Sequence, residues 1–134
     1  MNKRIEQAIE LHDKGFNCAQ VVALPFCEEL GLDPALVVRA MEGFGAGMGG
    51  RKQTCGALSG AIFVAGLTHS DGNLEHPASK ADTYALCDKL TQQFMAQCGS
   101  GLCADIKGLE TGKVLLSCDE CIKLGIRLAE EALK

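Results

Sequence analysis

The sequence predicts an all-α protein: one compact domain over residues 1–134, a bundle of five or six helices. Three observations carry this expectation. No segment sustains the apolar–polar alternation of a half-buried strand. Helix-start signals recur, at Asn17, Asp33-Pro34, Thr54 and Ser117. A chain of 134 residues that is 47% hydrophobic has enough apolar mass for a single core.

The elements follow in order. Residues 3–14 read as a first helix, with Ile5, Ala8 and Ile9 on its apolar face, Lys14-Gly15 as its stop and His12 on its surface. Residues 17–30 read as a second, with Asn17 as N-cap, Cys18 at the first helical position, a kink at Pro25 and Gly31 as C-cap. Cys27, beyond the kink, reads as core packing. Asp33-Pro34 opens a short helix through Met41 that ends at Gly43. Residues 78–97 form the longest helix, with Tyr84, Cys87, Leu90, Phe94 and Cys98 on one stripe and Cys87 as a buried, inert small hydrophobe. Gly99 suits a left-handed cap, and Cys103 falls in or near a turn that leaves its sulfur within reach. Residues 104–113 are poorly patterned. The last helix begins at Ser117-Cys118-Asp119-Glu120, a capping box.

The chain is organised around residues 43–66, a glycine-rich loop that runs into Cys55 and a helix of small and apolar residues. With Thr54 as N-cap, Cys55 takes the first helical position, where the helix dipole favours a thiolate and a lowered pKa. Glycine inside a helix costs about 1 kcal/mol against alanine. Gly56, Gly60 and Gly66 therefore point to another backbone coming very close. Gly49 and Gly50 in the loop, with Gly56 and Gly60 in the helix, are the candidate positions for close approach of a cofactor or a partner sulfur. The loop resembles a phosphate cradle next to Arg51 and Lys52, but it lacks the GxxxxGK[ST] spacing and no strand leads into it.

Composition narrows the function classes. A net charge of −4 without a basic cluster argues against nucleic acid, and five Phe, one Tyr and no Trp argue against a base-stacking platform. The start of the chain has no secretory signal and no stretch is apolar enough for a membrane span, so a cytoplasmic location is expected. In a reducing compartment, eight cysteines point to metal binding or thiol redox chemistry rather than a static disulfide framework. Four stand apart. Cys18, Cys55 and Cys118 each open a helix, and Cys103 lies in a turn. Three helix N-termini aimed at one place would make an electropositive pocket that stabilises thiolates. The Cys118-x-x-Cys121 spacing is similar to thioredoxin-like sites, but no other strands exist to build their sheet, and no histidine follows it, which excludes c-type haem attachment.

These residues carry a family resemblance. Cys55-Gly56-Ala57-Leu58-Ser59-Gly60 matches a CGAxxG core, with Cys18 upstream and Cys103 and Cys118 downstream. Over nearly its whole length the chain resembles the redox-active protein family named for its C_GCAxxG_C_C pattern. The resemblance implies a small bacterial or archaeal redox protein. It selects the same four cysteines and leaves Cys121 outside the pattern.

The readings that remain are distinct. In the first, Cys55 attacks a disulfide or oxidised acceptor and a neighbouring cysteine resolves the product, making the protein a thiol-dependent oxidoreductase that serves a redox partner protein or a small-molecule acceptor. In the second, Cys18, Cys55, Cys103 and Cys118 ligate an iron–sulfur cluster or zinc. A zinc site from Cys98, Cys103, Cys118 and Cys121 is a third, and a helical interaction protein without redox role is the fourth. A homo-oligomer is compatible with each. Both active-site readings require the four cysteines to meet in one pocket.

Overall fold

The computed structural model describes residues 2–134. Its α-helices are α1 (Lys3–Asp13), α2 (Cys18–Ala23), α3 (Cys27–Leu30), α4 (Pro34–Met41), α5 (Gly56–His69), α6 (Lys80–Cys98), α7 (Cys103–Lys107) and α8 (Cys118–Ala132). Among the described residues there is no strand, only one isolated antiparallel bridge between Thr54 and Leu102. None of their helices is long and apolar enough to cross a membrane.

α2 and α3 form one rod, broken by a 3₁₀ turn at Leu24–Phe26 that carries Pro25 near its start, where the missing N–H costs least. Counted as one, they leave seven helices against the five or six expected. The additional helix is α7, in a stretch that looked unpatterned. It is only five residues long, too short to show a period, and Gly108 closes it in the left-handed conformation.

The caps explain where the rods begin. Asn17 and Gln20 form a reciprocal capping box, each side chain accepting from the other's backbone N–H at 2.9 Å. Asp33 accepts from Ala35 N–H, and Ser117 from Glu120 N–H. Gly31 and Gly99 take the left-handed cap conformation.

α5 is apolar on every side, so it lies in the middle, packed by α2, α6 and α8. Its small residues set the spacing. A Cβ at Gly60 would stand 2.8 Å from Val22 Cβ and 2.9 Å from the Ala19 carbonyl oxygen, and one at Gly125 of α8 would stand 2.7 Å from the Ala57 carbonyl oxygen. Either methyl would push backbones apart at a cost of about 1–3 kcal/mol. A smaller cluster joins α2 and α3 to α4 and contains Cys27, which is buried. The α6 stripe is only half as expected. Leu90, Phe94 and Cys98 are buried, but Tyr84 is 67% exposed and Cys87 is half-buried, because the first two turns of α6 extend past the core.

Candidate functional site

The Thr54–Leu102 bridge builds the site. Cys55 N–H donates to the Gly101 carbonyl at 2.8 Å and Cys103 N–H donates to the Gln53 carbonyl at 2.7 Å. Side chains alternate across an extended segment. Thr54 and Leu102 accordingly turn to one side, into an apolar groove of about 840 Å³. Cys55 and Cys103 turn to the other, into a cavity of about 330 Å³. The bridge also corrects the expected cap. It pairs Thr54 with Leu102, so Thr54 does not cap α5 and the extended Cys55 is itself the N-cap, one residue before the helix.

Five cysteines line the smaller cavity: Cys18 from α2, Cys55, Cys103 from α7, and Cys118 and Cys121 from α8. All eight cysteines are free thiols. Gly56 lets the first two approach, since a Cβ there would collide with Cys18 Sγ, and Gly47 likewise lies against Cys103, with no room for a side chain. The loop over them is strained. Ala46, Met48 and Arg51 all take positive φ, at 51°, 67° and 62°. Each such non-glycine residue costs about 1–2 kcal/mol. Ala46 and Arg51 line the thiol cavity, whereas Met48 lines the groove.

The sulfurs divide into two groups. One is a row of neighbouring thiols, Cys18, Cys55, Cys121 and Cys98, in which the Cys121 thiol donates to the Leu116 carbonyl at 4.0 Å. The neighbouring Cys121 thiol, together with burial, pushes the Cys55 pKa up from 9.0 to about 11, although Cys18 pulls the other way. Cys18 is driven up further, first by the neighbouring Cys55 thiol and then by burial. This overturns the expectation of an acidified Cys55. Cys55 is 7% exposed, and its sulfur meets other thiols before it meets any cation.

The other group surrounds Lys107. Its ammonium donates a hydrogen bond to Cys118 Sγ. Burial opposes the charge, but that bond and the sulfurs of Cys118, Cys103 and Cys18 hold the Lys107 pKa above its usual value. Cys118 is half-buried at the first turn of α8. Cys103 is not on an open turn, as the sequence suggested, but opens α7 at 4% exposure, and burial raises its pKa against the pull of Lys107.

The proposed glycines are scattered. Gly56 lines the cavity. Gly60 instead serves the α2–α5 contact, and Gly49 and Gly50 face open space. Sequence reasoning missed Lys107, and it weighed Cys121 only through the Cys118-x-x-Cys121 spacing and the zinc set with Cys98, Cys103 and Cys118. Lys107 had a signal: it stands four residues after Cys103 and just before Gly108, one helical turn from the thiol on the same face. Among the described residues, no three Cys, His, Asp or Glu side chains are grouped as ligands for one metal ion. The zinc set of Cys98, Cys103, Cys118 and Cys121 is divided between the two groups, with Lys107 supplying the positive charge at Cys118.

Comparison with known proteins adds one finding. A family model described as "Putative redox-active protein (C_GCAxxG_C_C)" matches residues 16–132. No curated protein and no solved structure matches.

Proposed function

The chain belongs to the C_GCAxxG_C_C family, and we propose that it performs thiol–disulfide exchange, with Cys118 as the attacking sulfur and Cys103 as the resolving one. The observation that carries this reading is the Lys107 ammonium on Cys118 Sγ inside a cavity that also holds Cys103. A thiolate is the attacking species, and an adjacent ammonium supplies its countercharge. Cys118 attacks one sulfur of an acceptor disulfide, forms a mixed disulfide and releases the other half as a thiolate. Cys103 then attacks Cys118 Sγ, which frees the second half. The two protein thiols become one disulfide, their two protons pass to the released thiolates, and the acceptor is reduced by two electrons. Cys18, Cys55 and Cys98, whose pKa values are raised, stay protonated at neutral pH and keep apolar packing around the exchanging pair.

The test is trapping. Reduced Cys103→Ser protein treated with a small disulfide should accumulate a mixed disulfide at Cys118, located by peptide mass spectrometry. Cys118→Ser should slow thiol consumption at least about a hundredfold, the scale of losing an activated nucleophile. An adduct formed at Cys55 at the normal rate in Cys118→Ser would return the attack to Cys55 and sink this assignment.

A further inference from the structure

We infer that the acceptor entering this cavity is a low-molecular-weight disulfide that carries negative charge, such as one bearing carboxylates. The inference rests on the exchange reading above and adds the chemical class of its substrate. The basic side chains lining the cavity are His12, Arg51 and Lys107, with no carboxylate among them, in a chain that has 17 Asp and Glu against 13 Lys and Arg. Arg51 and Lys107 are not neutralised by a carboxylate of the fold. Among the described residues, the ion pairs are those of Arg4 with Glu29 and Glu130, His12 with Asp119, and Lys123 with Glu120. Neither Arg51 nor Lys107 has a carboxylate partner in that set. Asp119 stands 3.5 Å from His12 and is 53% exposed, so it meets His12 outside the lining of the cavity.

Size and depth argue for a small molecule. About 330 Å³ falls at the lower end of small-molecule sites. Cys103, the resolving sulfur, is 4% exposed, so the sulfur it releases must sit inside the cavity and not at its rim. Lys107 is engaged with Cys118. Arg51, exposed on the loop that covers the thiols, is the cation left for a substrate carboxylate. An arginine fork takes a carboxylate in two-point contact. A binding step of this kind raises the encounter rate of an anion, and salt weakens it.

The experiment compares three disulfides on the reduced full chain: oxidised glutathione as the anionic probe, 2-hydroxyethyl disulfide as the neutral one and cystamine as the cationic one. Thiol consumption is measured for each and divided by the rate of a neutral free thiol with the same disulfide. The expected order is anionic, neutral, cationic, with about a tenfold or greater span between the extremes. The span should shrink as salt rises. Arg51→Gln should reduce the anionic-to-neutral ratio several-fold, with far-UV spectrum and melting temperature checked to exclude misfolding. Equal normalised rates for the three probes, unaffected by salt, would overturn the charge inference and leave the exchange reading standing. Absence of reaction at Cys118 with every probe would overturn both.

Discussion

Two helix starts in this molecule carry a cysteine and look alike in sequence, yet they present opposite chemistry. At the start of α8, Ser117 caps the helix, Cys118 is half-buried and Lys107 donates to its sulfur. At the start of α5, Thr54 is drawn into the bridge, Cys55 is buried and its nearest sulfur partners are Cys18 and Cys121. The helix dipole is available to both. Its effect on a thiol is modest beside burial and the identity of the next hydrogen-bonding group. A cysteine before a helix is thus a candidate for activation, and the residue touching its sulfur decides the outcome.

The strongest way to break this comparison is to label both sulfurs in one sample. With limiting iodoacetamide at neutral pH, peptide mapping should find Cys118 modified first. With a pKa of about 11 against the ordinary 9.0, Cys55 should react about a hundredfold more slowly than an unperturbed cysteine, tenfold per unit. Equal labelling of the two would erase the distinction. A sharper probe is Lys107→Met, which should slow labelling of Cys118 by up to about tenfold, the worth of one charge-assisted hydrogen bond of about 1.5 kcal/mol. Labelling of Cys55 should be unchanged, and a parallel slowing would mean that the variant disturbed the whole cavity.

The smallest effect is on stability in alkali. Cys55 holds its proton to about pH 11 when folded, whereas the unfolded thiol loses it near 9.0. Rising pH therefore ionises the unfolded chain first, and the contribution of Cys55 to stability, complete below pH 9, is lost progressively up to about pH 11. Thermal melting should fall across that window, and fall less steeply in Cys55→Ser. An identical pH dependence in the two proteins would remove the buried Cys55 thiol as the cause.

The helices were legible because their signals are local. Asn17, Asp33-Pro34, Gly31, Gly99 and Ser117 mark ends by the hydrogen bonds or the φ that they supply, and the structure puts those ends there. Two of the three glycines of α5, Gly56 and Gly60, were legible for the same reason, because the absence of a side chain in a helix interior needs a neighbour to justify it; Gly66 has no such neighbour and faces open space. The four motif cysteines could be picked out because each lies near a helix start or turn. What stayed hidden depends on residues far apart in the chain. Thr54 looked like a cap because nothing nearby in sequence announces Leu102. Cys55 looked activated because the thiols of Cys18 and Cys121 arrive from other helices. Tyr84 matched the apolar stripe of α6, but periodicity cannot tell where a helix runs past its core.

The lone bridge between Thr54 and Leu102 has a consequence for how the site comes into being. Its partners are roughly fifty residues apart, and closing a flexible loop of that length costs about 3.5 kcal/mol by chain statistics. Its two backbone hydrogen bonds return about 1 kcal/mol each. The pairing cannot support itself and must be carried by the docking of α5 and α6, which brings the two segments together from either side. The thiol cavity is therefore a product of the finished topology, absent from the nascent chain and from any fragment lacking one of those helices.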